Sequence, residues 1–349
     1  MKESLLDFSL AEIKERMTAA GQPAYRAGQV YKWLTAGVGF EGMTDLPKKL
    51  REALAERYET GIPEVVRTLV SSDGTRKLGL KLADGQIIET VIMQYKHGTS
   101  VCVSTQAGCR MGCRFCASTL NGLTRCLTAG EILGQVIAAG REAGERIDGV
   151  VLMGIGEPLD NYENVVKFLR LINAADGLNL GLRHISLSTC GLVPGILRLA
   201  DEGLPVTLSI SLHAADDKTR SSIMPVNNRY PIAELLDACR VYFEKTGRRI
   251  SFEYTVITGV NDTAEDARRL GDTLRRSLPE IPLHVNLIPV NTVPERGFTA
   301  DMDSVQRFCG MLTRQGINAT VRRHLGGDIE ASCGMLRKTS AGERQKGSL

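Results

Sequence analysis

Apolar residues in the first sixty positions recur at helical spacing: Leu10, Ile13 and Met17, then Val30, Trp33 and Leu34, then Leu50, Leu54 and Tyr58. This predicts a small helical domain over residues 1–62. The period then shortens to two in three runs, 66–70, 77–82 and 87–92, separated by Ser72-Asp73-Gly74 and Ala83-Asp84-Gly85 turns. The pattern is that of a β-meander over residues 63–97. Beyond residue 98, short apolar strands alternate with amphipathic helices, the pattern of parallel βα units. Strands are expected near 100–105, 149–154, 184–189, 206–212, 250–257 and 283–288. Six such units give an α/β fold with an incomplete barrel over residues 98–338. Thr128 with Glu131, and Thr263 with Asp266, fit capping boxes at helix starts. Residues 339–349 read as a polar, frayed tail.

Composition changes this picture little. The 349 residues are 43% hydrophobic and 24% charged, as in ordinary globular proteins. The first residues carry acids and no long apolar stretch, so neither a signal peptide nor a membrane anchor is expected, and the expected location is cytoplasmic. A net charge of +3 is too small to demand nucleic acid and is compatible with it. Arg248-Arg249, Arg275-Arg276, Arg322-Arg323 and the tail residues Arg337, Lys338, Arg344 and Lys346 are candidate phosphate-facing groups; each taken alone reads as a solvated surface, and only Arg322-Arg323, just upstream of Cys333, is favoured for substrate contact. Nine cysteines in a chain without a secretory signal favour metal or catalytic thiols over disulfides.

Three of those cysteines carry the strongest signal. Cys109, Cys113 and Cys116 are spaced Cys-x3-Cys-x2-Cys within eight residues, among Gly108, Arg110, Gly112 and Arg114. Thiolates are soft ligands that hold iron–sulfur clusters, and three of them leave one iron of a four-iron cluster open to another molecule. A structural zinc site is the competing reading, but the next cysteine, Cys126, lies outside the paired knuckles that zinc modules use. Other unusual residues follow the expected strands: Gly156 and Glu157, Ser188, Ser211 and His213, and Asn291. The C-terminal rim of a β/α barrel carries its active site. Read singly, these are turn residues, caps or a structural histidine; their shared rim position makes them candidates for binding a polar ligand.

The cysteine triplet matches the cluster motif of radical S-adenosylmethionine (SAM) enzymes. The chain as a whole, over about residues 6–338, resembles the Cfr/RlmN family of radical SAM RNA methyltransferases. The resemblance rests on Tyr25-Arg26-Ala27-Gly28-Gln29-Val30, Glu89-Thr90-Val91, the run from Cys102 to Cys109, the run from Met153 to Leu159, Asn286-Leu287-Ile288-Pro289 and, above all, Gly327-Asp328-Ile329-Glu330-Ala331-Ser332-Cys333-Gly334. It implies a 4Fe–4S cluster on Cys109, Cys113 and Cys116, with SAM held by Gly156, Glu157, Ser188, Ser211, Leu212, His213 and Asn291. It further implies a methyl-carrying Cys333, a resolving Cys102 that forms a transient disulfide with it, and Glu89 as proton acceptor. The implied reaction is methylation of adenine C2 in 23S rRNA and in tRNA, by a monomer reduced by flavodoxin or ferredoxin. C8 methylation, as in Cfr-type antibiotic resistance, and a noncatalytic cluster-bearing RNA-binding protein are the alternatives. Arg26, Lys32, Lys48, Lys49 and Arg51 are the expected RNA-facing cations of the N-terminal region. Ser332 and Met335 depart from the family's usual Ala-Cys-Gly-Gln-Leu. Cys126, Cys190, Cys239 and Cys309 are read as structural.

Overall fold

A computed structural model describes residues 2–337 and 339–340. Strand β1 (Glu3–Ser4) leads into three helices, α1 (Leu10–Ala19), α2 (Tyr25–Thr35) and α3 (Lys48–Arg57), before β2 (Tyr58–Glu59) returns parallel to β1. The predicted periodicity faces inward: Ile13, Met17, Val30, Leu34, Leu50 and Leu54 are all buried. Helix α1 is set by a capping box that the reading above omits, in which Ser9 Oγ accepts from Glu12 N and Glu12 Oε2 accepts from Ser9 N. This apolar face is continuous with the core of the rest of the chain.

The meander forms as predicted, with β3 (Glu64–Val70), β4 (Arg76–Lys81) and β5 (Gln86–Tyr95) antiparallel. It is continuous with the barrel. Strand β5 pairs antiparallel with β6 (Gly98–Cys102), which starts the parallel run. A short hairpin, β7 (Gln106–Gly108) with β8 (Leu123–Cys126), frames the cysteine loop. The βα units then follow in chain order: α4 (Ala129–Ala143), β9 (Gly149–Leu152), α5 (Tyr162–Asn173), β10 (Ile185–Thr189), α6 (Val193–Asp201), β11 (Thr207–Ser211), α7 (Asp217–Ile223), α8 (Ile232–Thr246), β12 (Ile250–Val256), α9 (Ala264–Ser277), β13 (Leu283–Pro289), α10 (Met302–Arg314) and β14 (Ala319–Val321). All six expected strands are present, and β14 adds a seventh parallel strand. Both predicted capping boxes form. The sheet runs β14-β13-β12-β11-β10-β9-β6-β5-β4-β3 and does not close, as an incomplete barrel requires.

One difference concerns the tail. Thr339 and Ser340 form β15, antiparallel to β5 opposite Ile87 and Gln86, so the chain leaves the barrel through backbone pairing rather than fraying at once. Lys338 and residues 341–349, including the basic positions Arg344 and Lys346, lie outside the described residues.

Strands buried on both faces usually read as continuous apolar runs. Here the strands alternate. Leu187, Leu208, Ile210, Phe252, Tyr254, Val285 and Leu287 are fully buried in the helix-side core. The intervening positions are polar and meet between neighbouring strands on the lumen side, as in Ser186 Oγ to Ser209 Oγ at 2.9 Å and Ser188 Oγ to Ser211 Oγ at 3.5 Å. The barrel therefore has an apolar outside and a polar inside, suited to a polar ligand at its mouth.

Candidate active site

The cysteine loop is shaped by backbone constraints. Gly108 has φ 84°, and a Cβ there would lie 1.9 Å from the Gly122 carbonyl oxygen, which accepts from Cys109 N at 3.1 Å. Only glycine fits this conformation and this contact. Thr119 Oγ1 donates to the carbonyls of Cys113 and Cys116, and Arg296 Nη2 donates to that hydroxyl at 2.8 Å. All three cysteines line one cavity at the barrel mouth. Burial pushes their thiols up, Cys109 to about 12, a cost that metal coordination removes because a coordinated thiol is deprotonated outright. No group of three or more His, Cys, Asp or Glu side chains among the described residues converges on a single-ion site. A cluster with a separate iron for each thiolate needs no such convergence, and the donor set fits it.

Gly156, Glu157, Ser188, Ser211, His213 and Asn291 line the same cavity. Gly156 has φ 109°, and a Cβ there would lie 2.6 Å from Gln106 Cβ. Glu157 is 4% exposed; its Oε2 accepts from Cys190 N at 2.7 Å and its Oε1 from Leu159 N at 3.1 Å, although burial still raises its carboxyl above the ordinary range. His213 adopts φ 57°, rare for a residue with a side chain. Its Nδ1 accepts from Thr255 N at 2.9 Å, and its ring stands edge-on to Phe115, with centroids 4.9 Å apart. Burial and the Arg220 charge lower this imidazole to about 3, so it is neutral with its proton on Nε2. Leu212 differs from the other expected contacts. Its side chain is 1% exposed in the hydrophobic core, and its backbone is engaged within the fold, Leu212 N donating to Glu253 O at 3.1 Å and Leu212 O accepting from Arg220 Nε at 3.0 Å.

Cys333 lies on a C-terminal loop bonded directly to the cysteine loop: Ala117 N donates to Gly334 O at 2.7 Å, and Ser118 Oγ to Leu336 O at 2.8 Å. Asn291 Nδ2 donates to Cys333 O at 2.8 Å. Cys333 lines the main cavity and also a smaller neighbouring one, which Cys102 lines too. Arg322 borders both, and its charge opposes the burial that pushes the Cys102 thiol up to about 12. Glu89 lines neither cavity and lies under the same loop. Its Oε1 is 3.1 Å from Lys77 Nζ, and its Oε2 accepts from Arg337 N at 2.7 Å. Burial raises its carboxyl despite Lys77. The meander holds the other side of the loop, with Ser71 Oγ on Asp328 Oδ1 at 2.5 Å, Gly326 N on Asp73 Oδ2 at 2.9 Å and Lys77 Nζ on Glu330 O at 3.1 Å.

The Radical SAM superfamily matches residues 103–271, and the ribosomal RNA large subunit methyltransferase N-terminal domain matches residues 3–60. The chain is 54% identical over 341 residues to "Probable dual-specificity RNA methyltransferase RlmN" of Clostridium perfringens (strain 13 / Type A), covering 97% of each chain. It is 50% identical over 339 residues to a protein of the same description from Clostridium acetobutylicum, covering 96% of this chain and 97% of the relative. The chain belongs to the RlmN family. Its fold is similar to the crystal structure of a radical SAM methyltransferase from Sphaerobacter thermophilus, with TM-score 0.91 and 47% identity over 96% of this chain and 99% of that one. RlmN-family proteins are radical SAM RNA methyltransferases that use a 4Fe–4S cluster and SAM.

Several residues of this RlmN-family site carry no readable local signal. Arg220 is fully buried and donates to the carbonyls of Leu212, Cys190 and Ser211 and to Asn227 Oδ1, tying together the ends of β10 and β11. Gln106 joins the Glu157 loop to Asp160. Cys190, read above as structural, lines the cavity, and Ser332 Oγ donates to Leu325 O at 2.8 Å within the loop. Of the expected RNA-facing cations, Lys32, Lys48 and Lys49 are exposed. Arg26 instead bonds Gln29 and Asp45 O, and Arg51 bonds Glu41 O. No helix among the described residues is long and apolar enough to cross a membrane.

Proposed function

We propose that this chain methylates adenine C2, at the peptidyl-transferase adenosine of 23S rRNA and in tRNA, through a methyl group first carried on Cys333. The position of Cys333 carries the proposal: its loop is bonded to the cysteine loop, and its side chain borders the main cavity and the one it shares with Cys102. A ring C–H cannot attack a sulfonium methyl group, whereas a thiolate can, so a thiol beside the SAM site solves the difficulty. When bound at Cys109, Cys113 and Cys116, the reduced cluster supplies the electron that cleaves SAM to a 5′-deoxyadenosyl radical.

The chain's own residues supply the rest. Gly156 admits the close approach of the SAM amino-acid end, and Glu157 accepts from its ammonium. Ser188 and Ser211 hydrogen-bond the rest of the ligand, Leu212 fixes that strand end through its own backbone bonds, His213 donates from Nε2, and Asn291 fixes the Cys333 backbone. The Cys333 methyl group gives up one hydrogen atom to the 5′-deoxyadenosyl radical and its carbon adds to the adenine; the adduct loses one electron, which the cluster would take back, and its ring proton goes to Glu89. Cys102 then attacks Cys333 Sγ, breaking the carbon–sulfur bond to form a disulfide, while the released methylene takes up a proton to become the methyl group of the RNA. Lys77 opposes the burial of Glu89 and so favours the ionised form that accepts a proton. Lys32, Lys48 and Lys49 are proposed to meet RNA phosphates, with flavodoxin or ferredoxin as the electron donor. A single-stranded or flipped-out adenosine is the required substrate form.

The test is nucleoside mass spectrometry after anaerobic incubation of reconstituted protein with SAM, reductant and protein-free rRNA or tRNA. 2-Methyladenosine is expected. 8-Methyladenosine would overturn the assigned position, and SAM cleavage without either product would overturn the substrate.

A further inference from the structure

The barrel lumen holds a carboxylate to which the roles above give no part. Glu253, on β12, is 4% exposed and lines the same cavity as Cys333. Its Oε2 accepts from Asn286 Nδ2 at 2.7 Å and lies 3.8 Å from Arg322 Nη1. Its Oε1 accepts from Ser251 Oγ at 3.1 Å. The contacts continue away from the cavity: Ser251 Oγ is 3.3 Å from His284 Nδ1, and His284 Nε2 is 2.8 Å from Thr320 Oγ1. His284 is half-buried and Thr320 exposed. Ser251 stands opposite His284 and Glu253 opposite Asn286, so the series descends from the cavity toward the N-terminal ends of β12 and β13. The cysteine loop is at the other end.

Each member of this series can both accept and donate a proton. A protonated carboxyl, a hydroxyl and a neutral imidazole all do so. Arg322 is the cation facing Glu253, and Arg249, just before β12, acts on His284. Burial raises the Glu253 carboxyl and lowers the His284 imidazole, which brings the two proton affinities toward each other.

We propose that Glu253 accepts the proton released when Cys333 is methylated, and that Ser251 and His284 pass it to solvent at the end of the barrel away from the cysteine loop. This rests on the reading of Cys333 as methyl carrier. The step balances without a redox partner. The Cys333 S–H bond breaks and an S–CH3 bond forms, the methyl–sulfonium bond of SAM breaks to leave neutral S-adenosylhomocysteine, and one proton remains. That proton crosses the shared cavity to Glu253; Ser251 then turns to donate to His284 Nδ1, and Nε2 releases a proton toward Thr320 and water.

The experiment uses reconstituted holoenzyme mixed with SAM without RNA, quenched over time and read by intact mass for one methyl on Cys333, from about pH 6 to about pH 9. His284→Ala is expected to slow methylation roughly tenfold at neutral pH, with recovery on adding imidazole, and Glu253→Gln to slow it about a hundredfold. SAM binding, measured by equilibrium dialysis, should be unchanged in His284→Ala. Wild-type rates and pH profile in His284→Ala, or a loss that imidazole does not repair, would overturn the relay even if Glu253→Gln fails to fold. A wild-type holoenzyme that places no methyl on Cys333 would instead overturn the methyl-carrier reading, and the relay with it.

Discussion

Replacing Lys77 by Met tests how the meander supports the site. The Lys77 and Glu89 side chains are 5% and 11% exposed and 3.1 Å apart, so solvent screens the pair little. Gly79 stands directly across from Glu89, leaving room for the lysine to reach diagonally between the strands. Met preserves most of the side-chain length and volume but removes the charge, leaving a buried carboxylate whose one remaining close donor among the described residues is Arg337 N. Removing one partner of a buried pair costs about 3–5 kcal/mol. With a urea dependence of roughly 3 kcal/mol per molar, the unfolding midpoint should fall by about 1 M or more. The sign of the pH dependence follows from the raised Glu89 carboxyl. A carboxyl raised in the folded state leaves stability intact below its unfolded value, ordinarily near 4.5, and loses it as pH rises through the folded value. Without Lys77 the rise is larger, so the deficit of the variant should be greatest near neutral pH and shrink toward pH 5. Anaerobic urea titrations of cluster-loaded protein, followed by circular dichroism at about pH 8 and about pH 5, make the comparison. A midpoint that does not change, or a deficit that widens in acid, would refute the reasoning.

Gly108→Ala places a Cβ against the Gly122 carbonyl at φ 84° and should cost more than about 2 kcal/mol locally; iron and sulfide analysis after reconstitution should show lost cluster, and full occupancy would count against the constraint. Ser71→Ala removes the hydroxyl held by Asp328, so iodoacetamide labelling of Cys102, slow in the wild type because burial raises its thiol to about 12, should rise roughly tenfold by peptide mass spectrometry. An unchanged rate would mean that this contact does not hold the loop. Reversal of Lys32, Lys48 and Lys49 to Glu should weaken RNA binding at least tenfold by filter binding and flatten its salt dependence, without altering SAM cleavage. Deleting the helices would be a poorer test, because their apolar face continues into the barrel core.

What the sequence shows and what it hides divide along a physical line. Local rules place the helices, the six strands and two capping boxes, because period and cap chemistry act within a few residues. The cysteine triplet is legible for the same reason. The contacts that position Cys333 join residues hundreds apart, as in Ser71 with Asp328 and Ser118 with Leu336, and no local pattern marks such pairs. Lys77 and Glu253 look like solvent-facing charges on alternating strands until the sheet shows that both are buried. Strand β14 is only three residues long, and the β7–β8 hairpin pairs segments on either side of the cysteine loop, so neither produces a readable period. Leu212 follows the family pattern at its position, yet its side chain belongs to the core.

The central claim is that the methyl carbon reaches RNA while attached to Cys333 and leaves only when Cys102 attacks. The most direct measurement is a reaction of Cys102→Ala holoenzyme with SAM, reductant and substrate RNA, resolved on a denaturing gel and followed by nuclease digestion and peptide mass spectrometry. The account predicts a covalent protein–RNA species whose nucleotide remnant maps to Cys333. Free methylated RNA formed at the wild-type rate, with no adduct on Cys333, would contradict it.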